Sequence, residues 1–77
     1  RIAALVPAGA SVLDLGCGGG ALLARLRARG HRRLVGVELD LRQLAAAAAC
    51  GLDVVHADIE EGLAQFGNGC FDTVVLA

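Results

Sequence analysis

Glycine at positions 16, 18 and 20, set directly behind an apolar segment and ahead of a helical one, constrains this chain more than any other feature. Ser11-Val12-Leu13-Asp14-Leu15 is a short strand candidate, preceded by the turn-like Pro7-Ala8-Gly9. Ala21–Arg29 has helical character, with Leu22, Leu23 and Leu26 on its apolar face and Arg25 and Arg29 as an i,i+4 pair toward solvent. Glycine lets the backbone turn sharply between the two and leaves bare main chain facing outward. The helix behind the loop aims its first N–H groups into the same space.

The rest of the chain repeats the alternation. Gly30 reads as a left-handed helix stop, and Leu34-Val35-Gly36-Val37-Glu38 as a second buried strand ending in an acid. Asp40 reads as a helix N-cap with Gln43 as its capping-box partner, opening a helix that runs through Ala45–Ala49 to Gly51. Asp53-Val54-Val55-His56 is a third strand, and Ile59, Leu63 and Phe66 share a short helical face that ends at Gly67. After the turn Gly67-Asn68-Gly69, a fourth strand runs from Phe71 to Leu76. Strands alternating with helices at this spacing predict an α/β fold: a Rossmann-like parallel sheet with right-handed crossovers and helices on both faces.

Size sets the expectation for what that sheet is part of. The chain has 77 residues, against a usual domain of roughly 100–200. Hydrophobic residues make up 56% and aromatics 3%, so the apolar mass is Ala, Leu and Val with little bulk to close a core alone. With Arg rather than Met at position 1, upstream sequence is expected. The opening Arg1-Ile2-Ala3-Ala4-Leu5-Val6-Pro7 is too short an apolar stretch for a signal peptide, and no run approaches a membrane span. A net charge of −1 from scattered charges supports neither a nucleic-acid nor a membrane partner. Cys17, Cys50 and Cys70 are odd in number and widely spaced, which argues against a disulfide framework or a metal site and fits reduced thiols in the cytoplasm. Cys17 is the thiol to watch, since a helix N-terminus lowers a thiol pKa.

The glycine loop alone is a nucleotide-type signal. Gly16-x-Gly18-x-x-Ala21 satisfies the dinucleotide fingerprint, and Glu38 falls where a ribose-binding acid belongs, so a nicotinamide-dependent oxidoreductase is one reading. Asp14 weighs against it. This carboxylate lies at the mouth of the loop, where a dinucleotide would seat its pyrophosphate. Each unit-charge contact at about 4 Å, with an effective dielectric near 20, is worth about 4 kcal/mol in either direction. S-adenosylmethionine carries no phosphate and bears a sulfonium and an ammonium, so the same acid would attract it. Two more acids fit that ligand: Glu38 to accept both ribose hydroxyls, and Asp58 to accept from the adenine amino group with Leu39 and Ile59 beside the ring. All three fall at the carboxyl ends of successive strands, where open α/β sheets bind ligands. Plainer roles stay open: Glu38 as a solvated loop acid, Asp58 as the cap of the helix that contains Leu63. His31 is expected as a solvated surface side chain, His56 as packed or hydrogen-bonded, and Asp72 as a hydrogen-bonding residue at the start of the fourth strand.

These segments resemble the class I S-adenosylmethionine-dependent methyltransferases. Val12-Leu13-Asp14-Leu15-Gly16-Cys17-Gly18-Gly19-Gly20 resembles their first motif, Gly36-Val37-Glu38-Leu39-Asp40 their second-strand acid, and Ala57-Asp58 the adenine-contacting position. A narrower resemblance, to the MetW-type methionine-biosynthesis proteins, rests on Gly36–Asp40, on Ala57-Asp58-Ile59-Glu60-Glu61-Gly62-Leu63 and on Phe71-Asp72-Thr73-Val74-Val75-Leu76. Gly19 departs from the pattern, which has Asp or another polar residue there, and this should loosen the loop.

The resemblance implies S-adenosyl-L-methionine as cofactor, held by Asp14, Gly16, Cys17, Gly18, Glu38, Leu39, Asp58 and Ile59. It also implies that residues 1–77 are the N-terminal, donor-binding half of a methyltransferase domain, stopping where a substrate-facing segment would begin. It assigns no catalytic residue within this chain. MetW-type proteins further imply a non-catalytic alternative, a partner subunit of a homoserine acyltransferase. A four-strand sheet with an open edge is expected to aggregate, or to assemble with other copies, unless further sequence covers it.

Overall fold

A computed structural model describes residues 5–76, so the segment Arg1–Ala4 and the final Ala77 lie outside the described residues. The expectation about the opening apolar stretch therefore falls mostly outside them. Four strands, β1 (Val12–Leu15), β2 (Leu34–Glu38), β3 (Val54–His56) and β4 (Thr73–Leu76), alternate with three helices, α1 (Ala21–Ala28), α2 (Leu41–Ala49) and α3 (Ile59–Phe66). All strand pairs are parallel, in the order β3-β2-β1-β4. The chain thus steps outward from β1 through β2 to β3 and then returns across the sheet to β4. That reversal puts a topological switch point between β1 and β4.

Because strand side chains alternate in direction, the sheet carries two cores. Val12 of β1 packs with Leu34, with Leu23 and Leu26 of α1 and with Ala47 of α2 on one face. Leu13 and Leu15 pack with Val37, Ala57 and Phe71, with Phe66 of α3 against them, on the other. Helices on both faces complete the predicted Rossmann-like α/β sheet, and β1 is buried along its whole length.

Helix ends follow the glycines. Gly30 (φ +98°) and Gly51 (φ +78°) take the left-handed conformation, and at each the following residue donates back into the helix, His31 N to Leu26 O at 3.1 Å and Leu52 N to Ala47 O at 3.4 Å. The first of these turns overturns the expectation for His31. The chain folds inward after Gly30, so His31 is 4% exposed and its Nδ1 lies 2.7 Å from Ala10 O. The reading of α3 also needs correction. Gly62, not Ile59 or Leu63, is the residue pressed against the sheet, and a Cβ there would fall 2.9 Å from Leu15 Cδ2. Ile59 and Leu63 stay 39% and 42% exposed.

Asp72 behaves as expected, in a reciprocal pair with Ser11. Its Oδ2 accepts from Ser11 N at 3.0 Å, and its own N–H donates to Ser11 Oγ at 2.8 Å, tying the starts of β4 and β1 together. Among the described residues, no helix is long and apolar enough to cross a membrane.

Candidate functional site

The glycine loop is fastened to the sheet at its first turn. Gly16 and Cys17 both donate to Val37 O, at 2.8 and 3.0 Å, so the chain leaving β1 leans over the end of β2. Gly16 (φ +79°) and Gly18 (φ +59°) then adopt backbone shapes that other residues rarely take. The loop ends on Gly20, which begins α1 with no side-chain cap. A Cβ at Gly20 would fall 2.3 Å from Leu52 Cδ1, so that position is held to glycine by packing as well as by its φ of +90°. Gly19 has nothing within 4 Å of a built Cβ and lacks a positive φ, so it is free of both constraints.

Glu38 is the hub of the site. Its Oε1 accepts from Gly18 N at 2.7 Å, and its Oε2 accepts from Leu39 N at 3.0 Å and Asp40 N at 2.9 Å. One carboxylate therefore links the glycine loop to the turn that starts α2. The amides of Asp40 and Gly18 hold its pKa below the ordinary carboxylate value. Asp40 caps α2 as expected, with Oδ1 accepting from Arg42 N and Gln43 N. The predicted reciprocal bond from Gln43 is replaced, because Glu38 already takes the Asp40 N–H. The Gln43 side chain turns toward the loop instead, its Oε1 2.9 Å from where a Gly18 Cβ would sit.

An open cleft of about 440 Å³ lies beside this hub, walled by Gly16, Val37, Glu38, Leu39, Ala57, Asp58, Ile59 and Glu60. Its volume falls within the ordinary range for small-molecule sites, roughly 300–1,000 Å³. Of the sequence candidates, Gly16, Glu38, Leu39, Asp58 and Ile59 meet there. Val37, Ala57 and Glu60 join them without having been singled out. Their signal was positional, since each is a chain neighbour of a named residue at a strand end or in the first turn of α3. Asp58 also serves as a cap: its Oδ1 accepts from Glu61 N at 2.7 Å, and Glu61 Oε1 accepts from Asp58 N at 2.8 Å, a complete capping box. His56 Nε2 lies 3.0 Å from Leu39 O at the rim.

Asp14 and Cys17 differ from expectation. Asp14 is not at an open mouth; it is 2% exposed on β1, and its Oδ1 is buried without a hydrogen-bond partner among the described residues. Burial, with the Glu38 carboxylate adding to it, raises its pKa. Cys17 is also buried, with Sγ donating to Gly18 O at 3.5 Å. Burial, followed by the charges of Asp14 and Glu38, pushes its thiol up to about 11. The lowering expected from a helix N-terminus is overwhelmed by desolvation and two neighbouring carboxyl groups.

Comparison with known proteins agrees with the fold. A bifunctional methionine biosynthesis protein, MetXA/MetW, from Rhodopirellula baltica (strain DSM 10527 / NCIMB 13988 / SH1) is 47% identical over 81 residues, covering 94% of this chain and 13% of that protein. The crystal structure of an S-adenosylmethionine-dependent methyltransferase from Mesorhizobium loti matches with a TM-score of 0.66 at 30% identity, over 75% of this chain and 29% of that one. The crystal structure of WbdD matches with a TM-score of 0.76 at 26% identity, over 84% of this chain and 16% of that one. This chain therefore spans a minor part of each of these relatives. The fold is methyltransferase-like, and the model of one family, described as methionine biosynthesis protein MetW, matches residues 1–77. By that match along its full length, the chain belongs to the MetW family.

Proposed function

We propose that this chain binds S-adenosylmethionine and forms the donor-binding part of a methyltransferase. The observation that carries the reading is the unpartnered, buried oxygen of Asp14 behind the glycine loop. A buried polar atom without a partner costs free energy, and a positively charged ligand group is the partner that relieves it. A pyrophosphate would instead meet the ionised Glu38 in its amide cradle and would bring Asp14 no positive charge. The residues therefore fit the methyl donor and disfavour a dinucleotide.

In this reading Asp14, Cys17, Gly16 and Gly18 face the methionyl end. Glu38 takes the ribose, and Asp58, with Leu39 and Ile59, takes the adenine. Glu38 has a lone pair left on Oε1 after Gly18 is satisfied. Asp58 keeps Oδ2 for the ligand while Oδ1 caps α3. When bound, the sulfonium supplies an activated methyl group. The chain's own contribution is to orient it and to exclude water, the two sources of rate such a site offers.

Titration calorimetry of the full-length protein tests this. Asp14→Ala and Glu38→Ala each weaken S-adenosylmethionine binding; unchanged affinity in both removes the assignment. A thermal-shift comparison separates the oxidoreductase reading, with S-adenosylhomocysteine stabilising the protein and NADH leaving it unmoved.

A second reading is supported by the relative that joins MetXA and MetW in one protein. On this second reading the domain of the present chain acts as a partner subunit of a homoserine acyltransferase. Co-purification with that enzyme, together with no methyl transfer to components of a cell extract, favours the partner role over catalysis.

A further inference from the structure

Asp14 stands in the middle of the sheet, with Gly36 of β2 and Val75 of β4 as its register partners. Its Oδ1 meets neither solvent nor a donor among the described residues. A carboxyl group in that setting keeps its proton unless a cation or several donors offset the loss of water. The titratable group that acts on it is Glu38, from the end of β2; Cys17, in the loop, is itself acted on by Asp14. Glu38 is held ionised by its three amides, so its negative charge adds to the pressure on Asp14. Cys17 stays a neutral thiol. The residues of the neighbouring β4, Thr73–Leu76, carry no ionisable side chain, and the core on that face is closed by Leu23 and Leu26 of α1 and Ala47 of α2. Within this surround, the positive charge that would hold Asp14 ionised has to come with a ligand.

On the reading of the site as one for S-adenosylmethionine, we infer that Asp14 is protonated in the ligand-free protein and that donor binding drives this proton off. The O–H bond of the Asp14 carboxyl breaks, the proton passes to solvent buffer, and the negative charge left on the carboxylate is offset by the ligand's positive methionyl end at the glycine loop beside it. The positive charge lost with the proton is matched by the one the ligand brings, so the charge balance is kept. The affinity for S-adenosylmethionine then climbs with pH, by up to about tenfold per pH unit, until the free carboxyl ionises by itself. The device also selects ligands. A neutral adenosine thioether without the amino-acid end has nothing with which to displace the proton.

Calorimetry on the full-length protein reads the exchange directly. Titrations in phosphate and in Tris, whose ionisation enthalpies differ, count the protons released per ligand bound. S-adenosylmethionine is expected to release protons on binding at pH values below the free-state pKa of Asp14, the release falling toward zero as pH rises past it. 5′-Methylthioadenosine is expected to release none. Asp14→Asn is expected to bind S-adenosylmethionine more weakly and without proton release at any pH. As a second measurement, independent of any variant, carboxyl ¹³C chemical shifts of the ligand-free protein report the ionisation of Asp14. Binding of S-adenosylmethionine with no proton release, or an Asp14 resonance titrating in the ordinary carboxylate range, overturns the exchange and leaves donor binding intact. No binding of S-adenosylmethionine at all overturns both.

Discussion

Cys17 lies in the glycine loop just ahead of α1, yet its surroundings make it inert. Burial and the two carboxyl groups outweigh the helix end in front of it, and a thiol titrating near 11 is almost wholly protonated at neutral pH. Iodoacetamide at about pH 8 should therefore modify Cys50 and Cys70, both exposed, and reach Cys17 only after denaturant is added; peptide mass mapping checks this. Gly36 and Gly19 make an opposing pair. A Cβ on Gly36 would fall 2.6 Å from Cys17 Sγ and 2.7 Å from Leu23 Cδ1, in a core that cannot shift freely. Gly36→Ala should destabilise by about 1–3 kcal/mol in urea unfolding, whereas Gly19→Asp should leave the midpoint almost unchanged. Which acids and glycines mattered was legible from type and spacing: Glu38 ends a strand, and Gly16 and Gly18 sit where a sharp turn is needed. Burial at single residues was not. His31 and Asp14 are polar, and nothing in their immediate sequence shows that a helix stop turns one inward or that strands on both sides enclose the other.

The same division holds for α3. Its start was legible, because Asp58 and Glu61 stand three apart ahead of apolar positions, the signature of a capping box. Its packing was not, because periodicity marks Ile59 and Leu63 as the buried face, while close approach to the sheet selects the residue without a side chain, Gly62. Phe66, edge-on to Phe71 at 6.0 Å between centroids, closes the far end, where the Arg33 guanidinium sits 4.6 Å from the Phe71 ring centre. Asp58 thus carries a structural duty as well as a proposed ligand contact, and substitutions can part the two. Asp58→Ala should cost about 1 kcal/mol of stability by loss of the cap. Asp58→Asn keeps a capping oxygen, so it should retain nearly all the stability while weakening S-adenosylmethionine binding. Chemical denaturation and calorimetry on the two variants decide this; equal binding by the Asp58→Asn variant and the wild type would leave Asp58 as a cap alone.

The order β3-β2-β1-β4 acts on the whole molecule by placing β1 between two strands and under helices on both faces, so the charge state of Asp14 becomes part of the folding equilibrium. The folded state raises the Asp14 pKa from its ordinary 3.8. Such a group contributes stability that is fully present below the unfolded value and is lost as pH rises through the folded one. Glu38 works in the opposite sense. Its pKa is lowered from 4.5 by amide donors, so its contribution is present above 4.5 and is lost as pH falls through the folded value. Between them the two acids make the ligand-free protein most stable near the ordinary carboxylate range, with a decline toward neutrality caused by Asp14. Asp14→Asn cannot ionise and should flatten that decline. Its melting temperature should exceed that of the wild type at about pH 7 and approach it at about pH 4. A carboxylate that served only the fold would give the reverse result, with the variant less stable at neutral pH. Thermal melts of the two proteins across that range therefore distinguish a group kept for a ligand from a group kept for the sheet.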